Sequence, residues 1–439
     1  MKKSLNLITA ILFALIIFGF SAAFIILPDS DFSEDENRKL QLLPKFSFAA
    51  LASGEYSSDM TDYFADQFPA RDLFVGIKGV AETALGRGEN NGVLLGDDGQ
   101  LAVRLFSAYK SRFERTDEID YFYEDNVTAC LDAVNNFAQN SDLPLVTVLP
   151  PRTLDVAASA FSYPTDISDS LGSLISETLT EDAGYIDLFP IMRERYEAGE
   201  YVYMRTDHHW TSYGAYLTYC EIMKEFDMED DIIPMDSFSR ETVEDFYGTT
   251  WSKAGYKFIP PDDIEIWSLG NEEDYITRCY SSKMVKGEDG KPLKVKESYK
   301  EFSGWMNRDY LCEKDKYAAF LDGTHNEQTV TLASGEKRET LLIAKDSFAN
   351  TLVPFLSQHF DLVILNLAGK QADLSEAAEY YGCDRVLIVY NCGNLIENNN
   401  LALVKSLFLK GKNSNETHTF TGDAPCSDLC CQHFRGLLR

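Results

Sequence analysis

The sequence predicts an α/β protein: a parallel β-sheet with helices on both faces, one N-terminal transmembrane helix ahead of it, and an inserted irregular region at about 229–335. Three observations lead there. Short, wholly apolar runs recur between stretches of helical periodicity, at 145–149, 185–189, 341–344, 362–365 and 386–390. A strand covered on both faces reads as one continuous apolar run because neither face meets water, and strands that alternate with helices form parallel sheets. The 439 residues are 45% apolar and 13% aromatic, enough for a large packed core and too apolar for a disordered chain. Finally, a long uncharged run follows Lys2 and Lys3 at the N-terminus.

That run extends from Ser4 to Pro28. As a helix, residues 7–27 would span ~31 Å, which matches the ~30 Å hydrocarbon core of a bilayer. Acidic residues follow it (Asp29, Asp31, Glu34, Asp35, Glu36), so the basic tail is expected inside and everything after Leu27 outside. A cleaved signal peptide is the competing reading, because Ser21-Ala22-Ala23 is a run of small residues. The apolar stretch continues through Leu27, which favours a retained anchor.

Residues 29–60 read as a polar stalk. Residues 56–85 carry Phe64, Phe68, Phe74, Ile77 and Val80 at near-helical spacing, broken at Pro69, which predicts two helices. The runs 93–96 and 100–103, joined by Asp97-Asp98-Gly99, predict a strand, turn and strand. Gly86, Gly88 and Gly92 nearly spell a dinucleotide-binding loop, but the third glycine is one position late and no strand precedes them. No cofactor is expected. Helices are predicted at 118–140 and 166–180, and the tail from Lys410 is polar and expected to be loose. The nine cysteines show no CxxC spacing, their odd count leaves at least one thiol free, and Cys426, Cys430 and Cys431 are taken as tail residues without a role.

The net charge of -30, from 70 acidic and 40 basic residues, argues against nucleic-acid binding, which needs a basic surface to neutralise phosphates. A polyanionic substrate would need a local basic pocket.

With only six histidines, their placement is informative, and two are adjacent in Arg205-Thr206-Asp207-His208-His209-Trp210-Thr211. A carboxylate two residues from a histidine can orient the ring on an irregular turn, fixing its tautomer and stabilising the imidazolium. Trp210 would wall the site from water. The competing reading is a capping turn, with Asp207 as a helix N-cap. No metal is expected, because adjacent histidines diverge and no third ligand stands at helical spacing. The second candidate is Ser347, in the run 341–350, where an apolar strand enters a polar turn and then a helix. Sites in parallel sheets form at the carboxyl ends of strands, and a serine there sits near N–H groups that bind a developing oxyanion. Here too a helix cap by Asp346 or Ser347 competes. The G-x-S-x-G pentapeptide is absent, which disfavours the α/β-hydrolase fold. Together the two segments supply a nucleophile, a base and an orienting acid, which a serine needs because its hydroxyl is inert at neutral pH.

These residues resemble a known family. Asp207-His208-His209-Trp210 resembles the name-giving motif of the bacterial DHHW protein family, itself similar to the SGNH-hydrolase-like alginate O-acetylation proteins with their Asp-x-His-Trp signature. Glu36-Asn37-Arg38, Pro44 and the run from Tyr63 to Arg71 resemble the N-terminal signature of this group. Asn91-Gly92-Val93 with Gly96, Tyr247-Gly248-Thr249 and Lys345-Asp346-Ser347-Phe348 are similar to it too, so the resemblance covers roughly 30–395.

The resemblance implies an SGNH-hydrolase-like, flavodoxin-like domain in which the Asp-His segment precedes the serine. It implies Ser347 as nucleophile, His209 as base and Asp207 as orienting acid, with His208 at the variable position. The family's serine often follows Gly-Asp, and here Lys345 replaces that glycine. The Ser347 amide is the expected oxyanion donor, with Arg152, Asn391 and Trp210 as substrate-binding or oxyanion helpers. The implied organisation is an anchor at 1–28, a stalk and N-terminal segment at 29–115, a catalytic domain at 116–400 and a tail at 401–439. The implied work is acetyl transfer to hydroxyls of a cell-surface polysaccharide, with a multi-span membrane-bound O-acyltransferase as the partner that supplies acetyl. An acetylesterase with the same triad, or a non-catalytic polysaccharide-binding protein using its tryptophans, are the alternatives. Acetate release that depends on Ser347 separates the enzymes from the binding protein, and an acceptor that gains acetyl separates transfer from hydrolysis.

Overall fold

The computed structural model describes residues 2–104, 109–111, 114–115, 117–162, 166–286, 292–367 and 374–402. Most of the expected tail, with Cys426, Cys430 and Cys431, lies outside them. Helices α1 (Lys2–Ile26), α2 (Glu55–Asp66) and α3 (Arg71–Ala84) precede the sheet, with the break between α2 and α3 at Pro69 as expected. Among the described residues, Asn6–Ile26 is the one helix long and apolar enough to cross a membrane. The hairpin pairs Val93–Leu95 with Leu101–Val103.

The main sheet has eight strands: β1 (Leu145–Val148), β2 (Tyr185–Ile186), β3 (Tyr275–Lys286), β4 (Pro292–Ser303), β5 (Glu327–Leu332), β6 (Thr340–Lys345), β7 (Asp361–Asn366) and β8 (Arg385–Val389). Their order is β4-β3-β5-β7-β6-β8-β1-β2. From β7 to β2 all neighbours run parallel, with Ile343 of β6 opposite Ile364 of β7 and Leu387 of β8. This is the α/β architecture with its parallel core. The segment 229–335 adds antiparallel strands β3, β4 and β5 to one edge, two of them 12 residues long, beside a separate ribbon of Ser239–Phe246 and Asp262–Ser268. The run 185–189 is strand only at Tyr185–Ile186. Asp187 caps a helix from Leu188 by accepting the Phe189 amide at 3.0 Å, and that bond outweighs the apolar pattern.

Because side chains alternate across the sheet, each parallel strand feeds two cores. Leu341 and Ile343 of β6, with Leu362 and Ile364 of β7, face α7 (Ser212–Glu225) and the segment after β6. Leu342 and Ala344, with Val363 and Leu365, face α4 (Asp117–Asn140), α5 (Asp166–Thr178), α9 (Leu374–Tyr381) and α10 (Cys392–Glu397). Two further helices are α6 (Leu188–Glu197) and α8 (Thr249–Ala254). The chain leaving β6 therefore goes to one face, and the chains leaving β7 and β8 go to the other. The point where these directions part lies beyond the carboxyl ends of β6 and β8, the position at which α/β sheets bind ligands.

Candidate active site

Ser347 stands at that point, as the first residue of a 3-10 helix (Ser347–Leu352). The turn is held by Asp346, whose buried carboxylate accepts the Phe348 amide at 3.0 Å, the Asn391 amide at 2.6 Å and Asn394 Nδ2 at 2.8 Å. The helix cap anticipated for this turn is therefore made by Asp346, and it ties the end of β6 to the start of α10. Burial raises the Asp346 pKa, and the same donors work against that rise. Lys345 is 1% exposed and donates to Asn350 Oδ1 at 2.5 Å. Burial pushes its ammonium down to about 8, opposed by the nearby Asp346 carboxylate.

The histidine pair lies on an irregular turn between Tyr203 and Trp210, which pair as an isolated bridge. Thr211 caps α7 by accepting the Gly214 amide at 3.2 Å, so Asp207 is not the cap considered from the sequence. Asp207 Oδ1 instead accepts from the His209 amide at 3.0 Å and from His209 Nδ1 at 2.5 Å. His209 Nε2 lies 2.7 Å from Ser347 Oγ. Oδ2 of Asp207 accepts the Thr249 amide at 2.8 Å and the Thr249 hydroxyl at 2.9 Å. The fixed bond to Nδ1 makes that nitrogen the donor and leaves Nε2 as the acceptor facing the serine.

Asp207 is 1% exposed. Burial alone would raise its pKa, but His208, His209 and the Thr249 amide overcome this and hold it well below the usual carboxylate range. It stays ionised, ready to stabilise an imidazolium at position 209.

Why Tyr247-Gly248-Thr249 carries a glycine is now a matter of space. A Cβ on Gly248 would stand 2.3 Å from Asp207 Cβ and 2.6 Å from its Oδ2. The loop is strapped there by the Gly248 amide to Thr206 Oγ1 at 3.1 Å and the Trp251 amide to the Thr206 carbonyl at 2.8 Å. Thr206 is held in turn by Asp262 Oδ2, which accepts its amide at 2.7 Å and its hydroxyl at 2.6 Å.

Rings wall the imidazole. Tyr317 stacks on His209 with centroids 3.9 Å apart and planes 13° from parallel, and its hydroxyl donates to the Ser347 carbonyl at 3.0 Å. Phe348 lies 4.9 Å from the His209 ring and 5.2 Å from Trp210. Sequence reasoning missed Tyr317, which comes from the segment 229–335 and carries no local motif. It also missed the role of Thr249, although the motif around it was visible.

The other sequence candidates sit at this end of the sheet, each with partners of its own. Arg152 is buried against Asp155, donating from Nε at 2.8 Å and from a terminal nitrogen at 2.5 Å, and it stands at the start of the short helix after β1, where Asp155 Oδ2 also accepts its amide at 2.8 Å. Asn391 caps α10 by accepting the Gly393 amide at 2.7 Å, and its Nδ2 donates to the Pro150 carbonyl at 3.0 Å. That leaves one amide hydrogen on Nδ2. Trp210 is fully buried and donates Nε1–H to Thr351 Oγ1 at 2.7 Å, so its ring packs and its donor is spent. Trp251, Trp267 and Trp305 are buried as well, which corrects the idea that they stack on sugars.

Ligand atoms of Asp207, His208 and His209 lie within 4.8 Å of one another. The ring nitrogens of His209 and Oδ1 of Asp207 are already joined in one hydrogen-bonded chain ending on Ser347, which a cation would have to break. His208 is half-exposed at the mouth, and its Nδ1 lies 2.9 Å from the Thr249 hydroxyl.

Residues 173–366 match the model of the family described as DHHW protein. Among solved structures, the chain is similar to a DHHW family protein from Eubacterium siraeum, at 18% identity and a TM-score of 0.52 over 73% of this chain and 97% of that one. It is also similar to PatB1 from Bacillus cereus, at 19% identity and a TM-score of 0.50 over 70% and 98% of the two chains. The O-acetyltransferase domain of AlgJ from Pseudomonas putida aligns at 14% identity and a TM-score of 0.39, over 70% and 93%. No curated protein sequence matches the chain. At these identities the first two likenesses speak for the fold alone. The stretch that matches the DHHW model, residues 173–366, contains Asp207, His209 and Ser347, and the chain shares the α/β fold of the Eubacterium siraeum DHHW family protein and of PatB1.

Proposed function

We propose that this protein is a membrane-anchored, extracytoplasmic O-acetyltransferase that acetylates hydroxyls of a cell-surface polysaccharide through an acyl-enzyme on Ser347. The observation that carries the reading is the unbroken chain from Ser347 Oγ to His209 Nε2 at 2.7 Å and from His209 Nδ1 to Asp207 at 2.5 Å. Three residues from segments 138 positions apart meet at bonding distance. Two further observations support it: the motif resemblance to the alginate O-acetylation proteins, and a helix of membrane-spanning length at Asn6–Ile26.

The chemistry follows from the geometry. His209 Nε2 takes the hydroxyl proton as Ser347 Oγ bonds to the donor's acetyl carbon, and Asp207 stabilises the imidazolium. The tetrahedral intermediate collapses, and the leaving group departs with the proton from Nε2. A sugar hydroxyl then gives its proton to Nε2 and attacks the acyl carbon, and Ser347 is reprotonated as it leaves. The Ser347 amide is the proposed first oxyanion donor, with the remaining Asn391 hydrogen as a second and Arg152 behind it. The stacked Tyr317 ring excludes water from one face of the base. A multi-span membrane-bound O-acyltransferase is the proposed source of acetyl, and the anchor keeps the site near it.

The test uses the purified full-length chain with a chromogenic acetyl ester. Acetate release should fall on the order of a million-fold in both Ser347→Ala and His209→Ala, and the double variant should be no worse, because triad members act as a unit. An added oligosaccharide should gain acetyl by mass. Full activity in Ser347→Ala removes the acyl-enzyme. Acetate release with no acetylated sugar makes the protein an esterase.

A further inference from the structure

The structure places a large apolar surface beside α1 that neither the sheet nor the catalytic chain covers. Phe64, Phe68, Leu73, Phe74, Ile77 and Val80, from α2, α3 and the corner between them, are each between 43% and 63% exposed. Leu73, Ile77 and Val80 share one stripe of α3, at spacings of four and three. A different face of α3 is pressed on the body of the protein. A Cβ on Gly79 would stand 2.7 Å from the Gly255 carbonyl, and Lys78 Nζ donates to Asn90, whose Nδ2 donates to Ala254.

Contacts with α1 set the height of this surface. Phe20 stacks on Phe68 with centroids 5.4 Å apart and meets Phe74 at 5.7 Å, and Phe24 meets Tyr63 and Phe64 at 5.6 and 5.5 Å. Phe20 lies six residues before the end of α1, ~9 Å along its axis at about 1.5 Å per residue. If Asn6–Ile26 fills the hydrocarbon core, Phe68 and Phe74 sit below its outer boundary. Helices lying in a membrane interface bury their apolar face to about that depth, ~5–10 Å.

The arrangement is braced. Arg38 donates to both oxygens of Asp66 at 2.9 and 2.5 Å, Arg71 donates to Glu36 at 2.5 Å, and Gln67 Nε2 donates to the carbonyls of Ser30 and Gln41 at 2.8 and 2.9 Å. The stretch expected to be a plain stalk is therefore tied to α2 and α3, and the two sequence motifs around Arg38 and Asp66 are the halves of one polar brace.

We propose that this face is a second membrane contact, seated in the acyl region of the outer leaflet beside α1. With one helix alone, the catalytic body could turn freely about the anchor. A second apolar contact, joined rigidly to both anchor and body, fixes its roll and holds Ser347 at one height above the bilayer. The occupant is lipid because the surface is continuous with the span at the same depth. The inference rests on reading α1 as a retained anchor.

The test uses full-length protein in vesicles of phosphatidylcholine brominated on its acyl chains, which quench tryptophan on contact. The native tryptophans are all buried and give the baseline. Ile77→Trp and Val80→Trp should be quenched as strongly as Ile16→Trp in the span, and well beyond the wild-type protein. If Ile16→Trp is quenched but both α3 variants match wild type, the anchor stands and the second contact is overturned, the result expected if a partner protein covers the face. If none is quenched, both fall. If only the α3 variants are quenched, the face meets lipid without α1 in the bilayer, and the proposal of a second contact at a height set by the anchor is overturned. Retained ester hydrolysis shows that each variant is folded.

Discussion

Adding one methyl group at Gly248 should disable the site without touching any of its reacting atoms. The Cβ of Gly248→Ala would fall 2.3 Å from Asp207 Cβ and 2.7 Å from its Cα. Carbon atoms settle at about 3.5–4.0 Å, so the gap must open by more than ~1 Å. Backbone strain does not enter, because Gly248 has an ordinary φ of -72°. Two responses are open. Either the Gly248 loop retreats and takes the Thr249 amide away from Oδ2, or Asp207 shifts and takes His209 with it through the bond at Nδ1. Both move a buried carboxylate or its donors by a distance that costs catalysis on the order of 100-fold, about 3 kcal/mol. The loss should fall on kcat for a chromogenic acetyl ester, with KM little changed, because the added methyl meets only Asp207. Thermal melts of the same samples establish that the variant is folded. Thr249→Val is the companion variant, removing one donor to Oδ2 while leaving the amide and the space intact, and it should lose less. A folded Gly248→Ala protein with wild-type kcat refutes the claim that Asp207 is held by close packing with this loop.

Other expectations follow from the same contacts. Tyr317→Phe keeps the stack on His209 and loses the hydroxyl's bond to the Ser347 carbonyl, so kcat should fall about 5-fold, the worth of one ~1 kcal/mol hydrogen bond. Tyr317→Ala also opens the ring face to water and should cost more; equal losses would show that the stack contributes nothing. Trp210→Phe removes the donor to a buried Thr351 hydroxyl and should destabilise folding by about 1–3 kcal/mol in urea titrations, and an unchanged midpoint would contradict that bond. Lys345 supplies a pH test. Its pKa falls from 10.5 unfolded to about 8 folded, so the unfolded chain binds more protons between these values and stability rises with pH across that window. The whole gap corresponds to about 3 kcal/mol. The stability of Lys345→Met relative to wild type should be largest below pH 8 and should shrink by that amount by pH 10.5. A pH-independent difference would mean that the buried ammonium carries no such penalty.

How far each feature could be read from the chain depended on its range. Local patterns specified β6, β7 and β8, because a strand buried on both faces must be apolar at every position. They specified the break at Pro69 and the hairpin around Asp97-Asp98-Gly99 for equally local reasons. They misled at 185–189, where an aspartate cap took apolar residues into a helix. The long strands of the segment 229–335 were not legible, because edge strands with one wet face are mixed in polarity. At the site, residue types and motifs singled out Ser347, His209 and Asp207, yet taken alone a helix cap explained Asp207 equally well and the Ser347 turn better. Those alternatives separated only in three dimensions, with Thr211 and Asp346 taking the capping roles.

The chain by itself determined its chemical inventory and its local geometry: an apolar N-terminal run, apolar strands ending in polar turns, and a carboxylate two residues from a histidine. Those are consequences of solvation and of backbone sterics over a few residues. Folding decided which of these groups meet. The 2.7 Å approach of His209 to Ser347, the Tyr317 ring on the imidazole and the fit of Gly248 against Asp207 all join segments distant along the chain. Such contacts depend on the whole sheet order and the packing of both its faces, which no short stretch of sequence encodes.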